Sequence, residues 1–291
     1  MKHKLVYIWS LRNAAADKAG QHVPYKGGLR YMKSPLEYLA EALDTTALGE
    51  LYSLEAVIFD DDETSPLDRA KLDEYGFRPE PGRHWFFPVD LTVQGKPLRN
   101  LLCSVPSTYR RLPLHSPERP ASKSAYEAQL RQKLVELDAD LVLLDGLLII
   151  LDELVRPASS FSRKVVNIHP GITRIESPYE RRGAYATLDA LYAARGEKVV
   201  NWQTLEKRSI PPLFMTGASF HYVDTGVDSG EVILDVLDTH IDPEDTILEL
   251  RWNNFHNSLF PALHQGLMTM ATARGTATAE RSQRPLLSAD R

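Results

Sequence analysis

The chain has a single cysteine, Cys103. One thiol cannot close an internal disulfide or supply the several ligands of a cysteine-built zinc centre, so a disulfide-framed secreted domain is excluded and no metal is expected. No apolar run approaches the roughly 20 residues that a membrane-spanning helix needs, so no membrane partner is expected. The N-terminal Met1-Lys2-His3-Lys4 leads into only five apolar residues, Leu5 to Trp9. That run is too short for a secretory signal and reads as a first strand. Basic blocks are missing as well, and the formal net charge of −5 argues against nucleic acid as the main partner. No internal repeat is visible. These absences together point to a reducing, cytoplasmic setting and to small-molecule partners.

What remains is the composition of a soluble enzyme. With 43% hydrophobic and 25% charged residues over 291 positions, the chain can bury a core of useful size. Short apolar runs at Lys4–Trp9, Glu55–Phe59, Leu141–Leu144 and Val165–Ile168 alternate with helical patterns. Such alternation predicts an α/β fold with an open, mostly parallel sheet, helices on both faces and a site at the strand carboxyl ends. Ser34-Pro35-Leu36-Glu37 has the form of a capping box, with Leu36, Leu39, Ala40 and Leu43 on one helix face. Ser65-Pro66-Leu67-Asp68 starts another helix, which Gly76 ends. A third start falls at Ser124-Ala125-Tyr126-Glu127, and the last long helix is expected to begin at Asp242-Pro243-Glu244-Asp245, with a kink at Pro261. From Ala273 onward large apolar residues are few, and a flexible tail is expected over 273–291. No sharp boundary divides the rest, so 1–272 reads as one domain.

Three stretches resist assignment to regular elements. Gln21 to Met32 is irregular, and its Lys26 and Arg30, with the nearby Lys33, form a surface face or a lid. About 77–120 is Pro-rich, contains the apolar Trp85-Phe86-Phe87-Pro88 and reads as an insertion that shapes a pocket. Its Arg110 and Arg111 are candidates for a substrate carboxylate, with a solvated surface as the alternative reading for at least one of them. Val199 to Pro212 is a further insertion. Asp60-Asp61-Asp62, at a strand end, is compatible with a solvated turn, a metal or a substrate ammonium. Arg12 and Asn13, after the first strand, suit a carboxylate or amide, or lie in a solvated loop.

The stretch from Val165 to Ile233 concentrates the chemistry. Val165-Val166-Asn167-Ile168-His169 stops at Pro170-Gly171. Asn167 and His169 are two apart on a strand and so share a face. A later loop carries Asp224 and Asp228. An amide that donates to an oxyanion, an imidazole that moves a proton and a carboxylate that fixes the imidazole can together run acyl transfer, provided the substrate brings its own amine. Structural roles remain open for each, since an Asp beside Gly is also ordinary turn chemistry.

The order Asn167-x-His169-Pro170, then Thr216-Gly217-x-x-x-His221-x-x-Asp224-x-Gly226-x-Asp228-x-Gly230, resembles the formyltransferases that use 10-formyltetrahydrofolate. Asp140 to Leu151 resembles that family's strand and folate loop. The resemblance covers Asp140 to Ile233, and the N-terminal third is similar to the pyoverdine-type hydroxyornithine formyltransferases of siderophore pathways. It implies a Rossmann-like formyltransferase sheet with insertions, whose catalytic and folate-binding core spans about 124–240. It places the catalytic amide, imidazole and carboxylate on Asn167, His169 and Asp228, with His221 as structural support or a water-holding residue. Folate contacts fall on Leu147, Leu148, Ile149, Ile150, Val223, Asp224, Gly226 and Val227, with 10-formyltetrahydrofolate as formyl donor and no metal. Where the purine enzyme of the family has an arginine, this chain has Ile149. That enzyme also cradles a substrate phosphate on a Gly-rich turn after the first strand, whereas no glycine occurs here between Leu5 and Lys18. The implied acceptor is δ-N-hydroxyornithine, with Arg12, Asn13, Arg110 and Arg111 as candidate contacts. A formyltransferase for glycinamide ribonucleotide or an amino-sugar nucleotide, or a folate-binding protein without catalysis, remains an alternative.

Overall fold

The computed structural model describes residues 2–62, 64–74 and 91–282. Seven strands form one sheet: β1 (His3–Trp9), β2 (Tyr52–Phe59), β3 (Leu102–Ser104), β4 (Leu141–Asp145), β5 (Val165–His169), β6 (Met215–Tyr222) and β7 (Val232–His240). Their order is β7-β6-β5-β4-β1-β2-β3. The pairs from β5 to β3 are parallel, and β6 and β7 are antiparallel additions at one edge. The sheet is thus the open, mostly parallel one that the alternation of strand and helix patterns implied.

Successive side chains of β1 face opposite ways, and each way leads to a different core. Leu5, Tyr7 and Trp9 pack with α2 (Pro35–Thr45) and the last helix. Val6 and Ile8 pack with Tyr126, Leu130 and Leu134 of a long helix on the other face. Helices therefore cover both faces. Ser34 caps α2 as expected: its hydroxyl accepts from the Glu37 amide at 3.0 Å while the Glu37 carboxylate accepts from the Ser34 amide at 2.8 Å.

Several boundaries differ from those the sequence pattern suggested. The helix expected at Ser124 begins at Arg119, with Pro120 in its first turn, where a missing N–H costs nothing. Ser124 instead donates to Glu153, and the buried Glu127 accepts from the amides of Asp152 and Leu154. The helix expected at Asp242 begins at Ile247, capped reciprocally by Thr246 and Glu249. Asp242 and Asp245 hold Lys26. Pro261 has no N–H to give to an earlier carbonyl, and a π turn at Phe255–Leu259 comes directly before it. The final helix runs Phe260–Ser282 and so passes the Ala273 at which the fold was expected to end; its many alanines are strong helix formers. Residues 283–291, Gly76 and Trp85–Pro88 lie outside the described residues.

The irregular stretches are partly regular. Residues His22–Tyr25 and Gly28–Tyr31 form a hairpin whose Lys26 and Gly27 both have positive φ, 46° and 79°, as a tight hairpin turn requires. Glu197–Asn201 and Glu206–Ser209 form another. The Pro-rich stretch supplies β3, the edge strand beside β2. No helix among the described residues is long and apolar enough to cross a membrane.

Gly266, in the final helix, lies against the ring of Phe220 on β6. A Cβ there would sit 2.3 Å from Phe220 Cγ, and the ring is fully buried. Alanine gains about 1 kcal/mol of helix propensity over glycine, but overpacking a filled core costs roughly 1–3 kcal/mol. Gly266→Ala is therefore expected to lower unfolding free energy by up to about 2 kcal/mol in urea titrations. Stabilisation would show that the helix moves off the sheet freely.

Candidate functional site

The parallel strands β1, β4 and β5 end on the same side of the sheet, and a cavity of about 420 Å³ opens there. Asn167 and His169 reach it from β5. The register of β6 sets His221 directly opposite Asn167, and cross-strand neighbours share a face. The loop after β6 brings Asp224 and Asp228, and Asp228 takes a left-handed φ of 46°.

Asp228 is the hub. Its Oδ2 accepts from the Gly183 amide at 2.8 Å and faces His169 Nδ1 at 3.3 Å. Its Oδ1 accepts from Asn167 Nδ2 at 3.1 Å and lies 3.6 Å from His221 Nε2. Burial works to raise this carboxyl's pKa, but the two rings and the Gly183 N–H outweigh burial and hold it well below the usual carboxylate range. Asp228 is thus an acceptor on both oxygens, which fixes the Asn167 amide with its NH2 toward the acid. That NH2 also meets His221 Nε2 at 3.2 Å, while His221 Nδ1 lies 2.8 Å from the Tyr222 carbonyl. The consistent tautomer of a neutral His221 carries its proton on Nδ1.

His169 sits between two acceptors, Asp228 at Nδ1 and the Arg181 carbonyl 3.0 Å from Nε2. Burial pulls its pKa below the ordinary imidazole value, and Asp228 opposes that pull. Asp228 favours the charged ring, but desolvation is the larger effect and the net shift is downward. A neutral ring has one N–H. Placed on Nε2, it satisfies Arg181 and leaves the Nδ1 lone pair ready for a proton that Asp228 would welcome.

The apolar wall consists of Leu147 to Leu151 on one side and Val223 and Val227 on the other. Leu148, Ile150 and Val227 are each about half exposed, an unusual state for large apolar side chains grouped around one cavity. Asp224 lines the same side and organises its loop, accepting from the Gly226 amide at 3.0 Å and the Ser229 hydroxyl at 2.6 Å.

The residues proposed for an acceptor divide. Asn13 lines the cavity, whereas Arg12, Arg110 and Arg111 are not among its lining residues. Arg12 pairs with Asp60, Asp61 and Asp68, Arg110 with Asp60 and Asp68, and Arg111 with Asp62. The acids after β2 are thus neither a solvated turn nor an open cation site but a buried network that fastens the Pro-rich stretch to the core. Asp61 also accepts from the Leu11 and Arg12 amides at 2.6 and 3.3 Å. A protein carboxylate therefore occupies the free N–H groups of α1 (Leu11–Ala16), where a phosphate would otherwise be bound.

The cavity also holds groups that the sequence pattern did not single out, Asp17, Thr187 and Arg251, together with Gly146 of the folate-loop stretch. Gly146 has φ of 57°, and a Cβ on it would lie 2.1 Å from Asn13 Nδ2, so glycine is what lets the β4 turn close on α1. Beneath that turn, burial pushes Asp145 up to about 7, and Tyr7 donates to it. An acid raised in the folded state favours folding most below its unfolded pKa and loses that contribution as pH rises through about 7. Asp145→Asn is therefore expected to reduce the fall in melting temperature between pH 5 and pH 8, with the wild-type chain as reference. An unchanged pH profile would show that Asp145 is ionised throughout.

Residues 108–256 match the formyl transferase family. Among solved structures, the chain is similar to PvdF of pyoverdin biosynthesis, an N10-formyltetrahydrofolate-dependent formyltransferase. The two are 66% identical over 93% of this chain and 99% of that one, with a TM-score of 0.86. Glycinamide ribonucleotide transformylase 1 from Symbiobacterium toebii shares the fold at 17% identity, covering 94% of this chain and 89% of that one, with a TM-score of 0.54. A formyltetrahydrofolate deformylase from Pseudomonas syringae pv. tomato does so at 18% identity, 94% and 63% coverage and a TM-score of 0.52. No curated protein sequence matches the chain.

Proposed function

The chain belongs to the formyl transferase family, and on that premise we propose that it moves the formyl group of 10-formyltetrahydrofolate onto the hydroxylated side-chain nitrogen of δ-N-hydroxyornithine. The observation that carries this is the joining of Asn167, His169 and Asp228 around one carboxylate at the edge of a half-exposed apolar wall. The wall, Leu148, Ile150 and Val227 in particular, suits the flat ring of the donor, which would cover it.

The acceptor nitrogen attacks the formyl carbon, and the carbonyl oxygen becomes an oxyanion. Asn167 is the group to meet it. Its N–H bonds to Asp228 and His221, at 3.1 and 3.2 Å, are ordinary in length. A charged oxygen makes a shorter bond about twice as strong as a neutral one, so an oxyanion displaces the neutral His221 nitrogen. His169 Nδ1 takes the proton released by the acceptor, and the imidazolium that results has both N–H groups answered, by Asp228 and by Arg181. The same proton then goes to the departing folate nitrogen, so the ring returns neutral.

The acceptor is favoured on two grounds. A hydroxylamine nitrogen is unprotonated at neutral pH and needs no strong base, which suits an imidazole with a depressed pKa. A phosphorylated acceptor is disfavoured because Asp61 already occupies the α1 amides. PvdF is named for pyoverdin biosynthesis, and a formyl-hydroxamate is an iron-chelating group of the kind siderophores carry.

The test is a direct assay. The protein is mixed with 10-formyltetrahydrofolate and, separately, δ-N-hydroxyornithine, ornithine or glycinamide ribonucleotide. Tetrahydrofolate release is followed by absorbance and the product by mass. Turnover with hydroxyornithine alone is expected. Turnover with the ribonucleotide, or donor binding without any turnover, would replace the acceptor or the activity, respectively.

A further inference from the structure

The cavity contains one more charged feature. Asp17 caps the C-terminus of α1, and Arg251 lies on α6 (Ile247–Asn254). Both line the cavity, with Arg251 Nη1 2.6 Å from Asp17 Oδ1. Their side chains are 18% and 15% exposed, so neither is sealed off. Asn13 Nδ2 adds a contact to Asp17 at 3.3 Å. Among the described lining residues Arg251 is the one arginine or lysine, since Arg12, Arg110 and Arg111 are taken up by the acids after β2.

We propose that this pair receives the α-amino-acid head of the acceptor, Arg251 binding its carboxylate and Asp17 its ammonium. The proposal rests on the formyl-transfer function above. At neutral pH δ-N-hydroxyornithine carries one negative and one positive charge on its α-carbon and an uncharged nucleophile at its far end. A matching cavity needs one fixed cation and one fixed anion together, and a proton-transfer group elsewhere. Asp17 and Arg251 supply the first two, and His169 the third.

The pair is also prepared for such a ligand. A guanidinium has five donors in a fixed fork, and Asp17 engages one end of it, which leaves room for a planar carboxylate. Burial raises the pKa of Asp17 and Arg251 opposes the rise, so a second cation beside it is welcome. Helix α6 is held from several sides: Thr246 and Glu249 cap it, Tyr25 Oη donates to Asn253 at 2.7 Å, and Trp252 Nε1 donates to the Tyr31 carbonyl at 3.0 Å. The hairpin of residues 22–31 thereby fixes the position from which Arg251 reaches the cavity.

Calorimetric titration separates recognition from a purely structural ion pair. The probes are δ-N-hydroxyornithine, 4-(hydroxyamino)butylamine, which lacks the carboxylate, and 5-(hydroxyamino)pentanoate, which lacks the ammonium. Arg251→Met is expected to weaken the two carboxylate-bearing probes about 10- to 100-fold and to leave the butylamine unchanged. Asp17→Asn is expected to weaken the two ammonium-bearing probes and to leave the pentanoate unchanged. Equal losses on all three probes, or none, would overturn the proposal. If the single variants fail to fold, the double variant Asp17→Arg/Arg251→Asp restores an ion pair. It is expected to regain the melting temperature without regaining hydroxyornithine affinity, and recovery of both would overturn the proposal. The wild-type chain itself is expected to bind hydroxyornithine at least about tenfold tighter than either truncated probe. Turnover of hydroxyornithine without that discrimination would sink this inference alone, whereas absence of turnover would remove the function on which it rests.

Discussion

Asp228→Asn is expected to lower the turnover number for formyl transfer about 1000- to 10,000-fold, in line with the loss when a carboxylate behind a catalytic imidazole becomes an amide. The backbone is not the cause. Residue 228 has φ of 46°, and asparagine accepts that conformation readily. The cause is that Asp228 accepts from the Gly183 amide on one oxygen and from Asn167 on the other, and stands 3.3 Å from the His169 Nδ1 that takes up the proton. An amide has one acceptor oxygen and one NH2. In one orientation the NH2 opposes the Gly183 N–H, and in the other it opposes Asn167. Either way one donor is left without a partner, and the charge that steadies the His169 imidazolium is lost. Stability should also respond. The folded pKa of Asp228 lies below its unfolded value, so its contribution is present above the ordinary carboxylate pKa and vanishes as pH falls. The variant is therefore expected to melt below the wild type at pH 7 and to approach it in acid. Single-turnover kinetics and melting curves check both parts. A loss of turnover smaller than tenfold would remove Asp228 from the mechanism.

What was legible in the sequence depended on how local each cause is. Asn167 and His169 could be assigned to one face because a strand repeats every two residues and Pro170-Gly171 marks its end. The α2 start was legible because a capping box closes within four residues, and Ser34 and Glu37 do close it. Ser124-Ala125-Tyr126-Glu127 has the same form, yet Pro120 allows an earlier start and tertiary contacts to Glu153 and Asp152 take over its polar groups. His221 beside Asn167 follows from the register between β5 and β6, which no local pattern specifies. Arg12, Arg110 and Arg111 were attractive as substrate contacts because arginines suit carboxylates. The carboxylates they meet are the protein's own, brought from a strand end and a helix. Asp17 and Arg251 lie far apart in the chain and meet only at the cavity of the folded protein. An ion pair of that kind leaves no periodic signature.

Asn167→Ala is expected to lower turnover about 100- to 1000-fold, the usual result of removing one oxyanion donor. The KM values for donor and acceptor should change little, because the formyl oxygen is uncharged before attack and gains most from the amide only as charge develops. The substitution has a second consequence through Asp228. Asn167 donates to Asp228 Oδ1 at 3.1 Å, and without that bond more of the carboxylate's charge acts on His169. The imidazole, held below its ordinary pKa by burial, is then easier to protonate. If neutral His169 is the proton acceptor, the acid limb of kcat/KM moves to higher pH in the variant. The acceptor's own ionisation is common to both proteins and cancels in the comparison, so the difference between the two profiles reports on the enzyme. A fall in turnover with the acid limb unmoved would keep Asn167 as an oxyanion donor and uncouple it from His169. An acid limb moved to lower pH would mean that the amide favours the charged imidazole rather than drawing on the charge of Asp228. Retention of turnover within tenfold would remove Asn167 as the oxyanion donor.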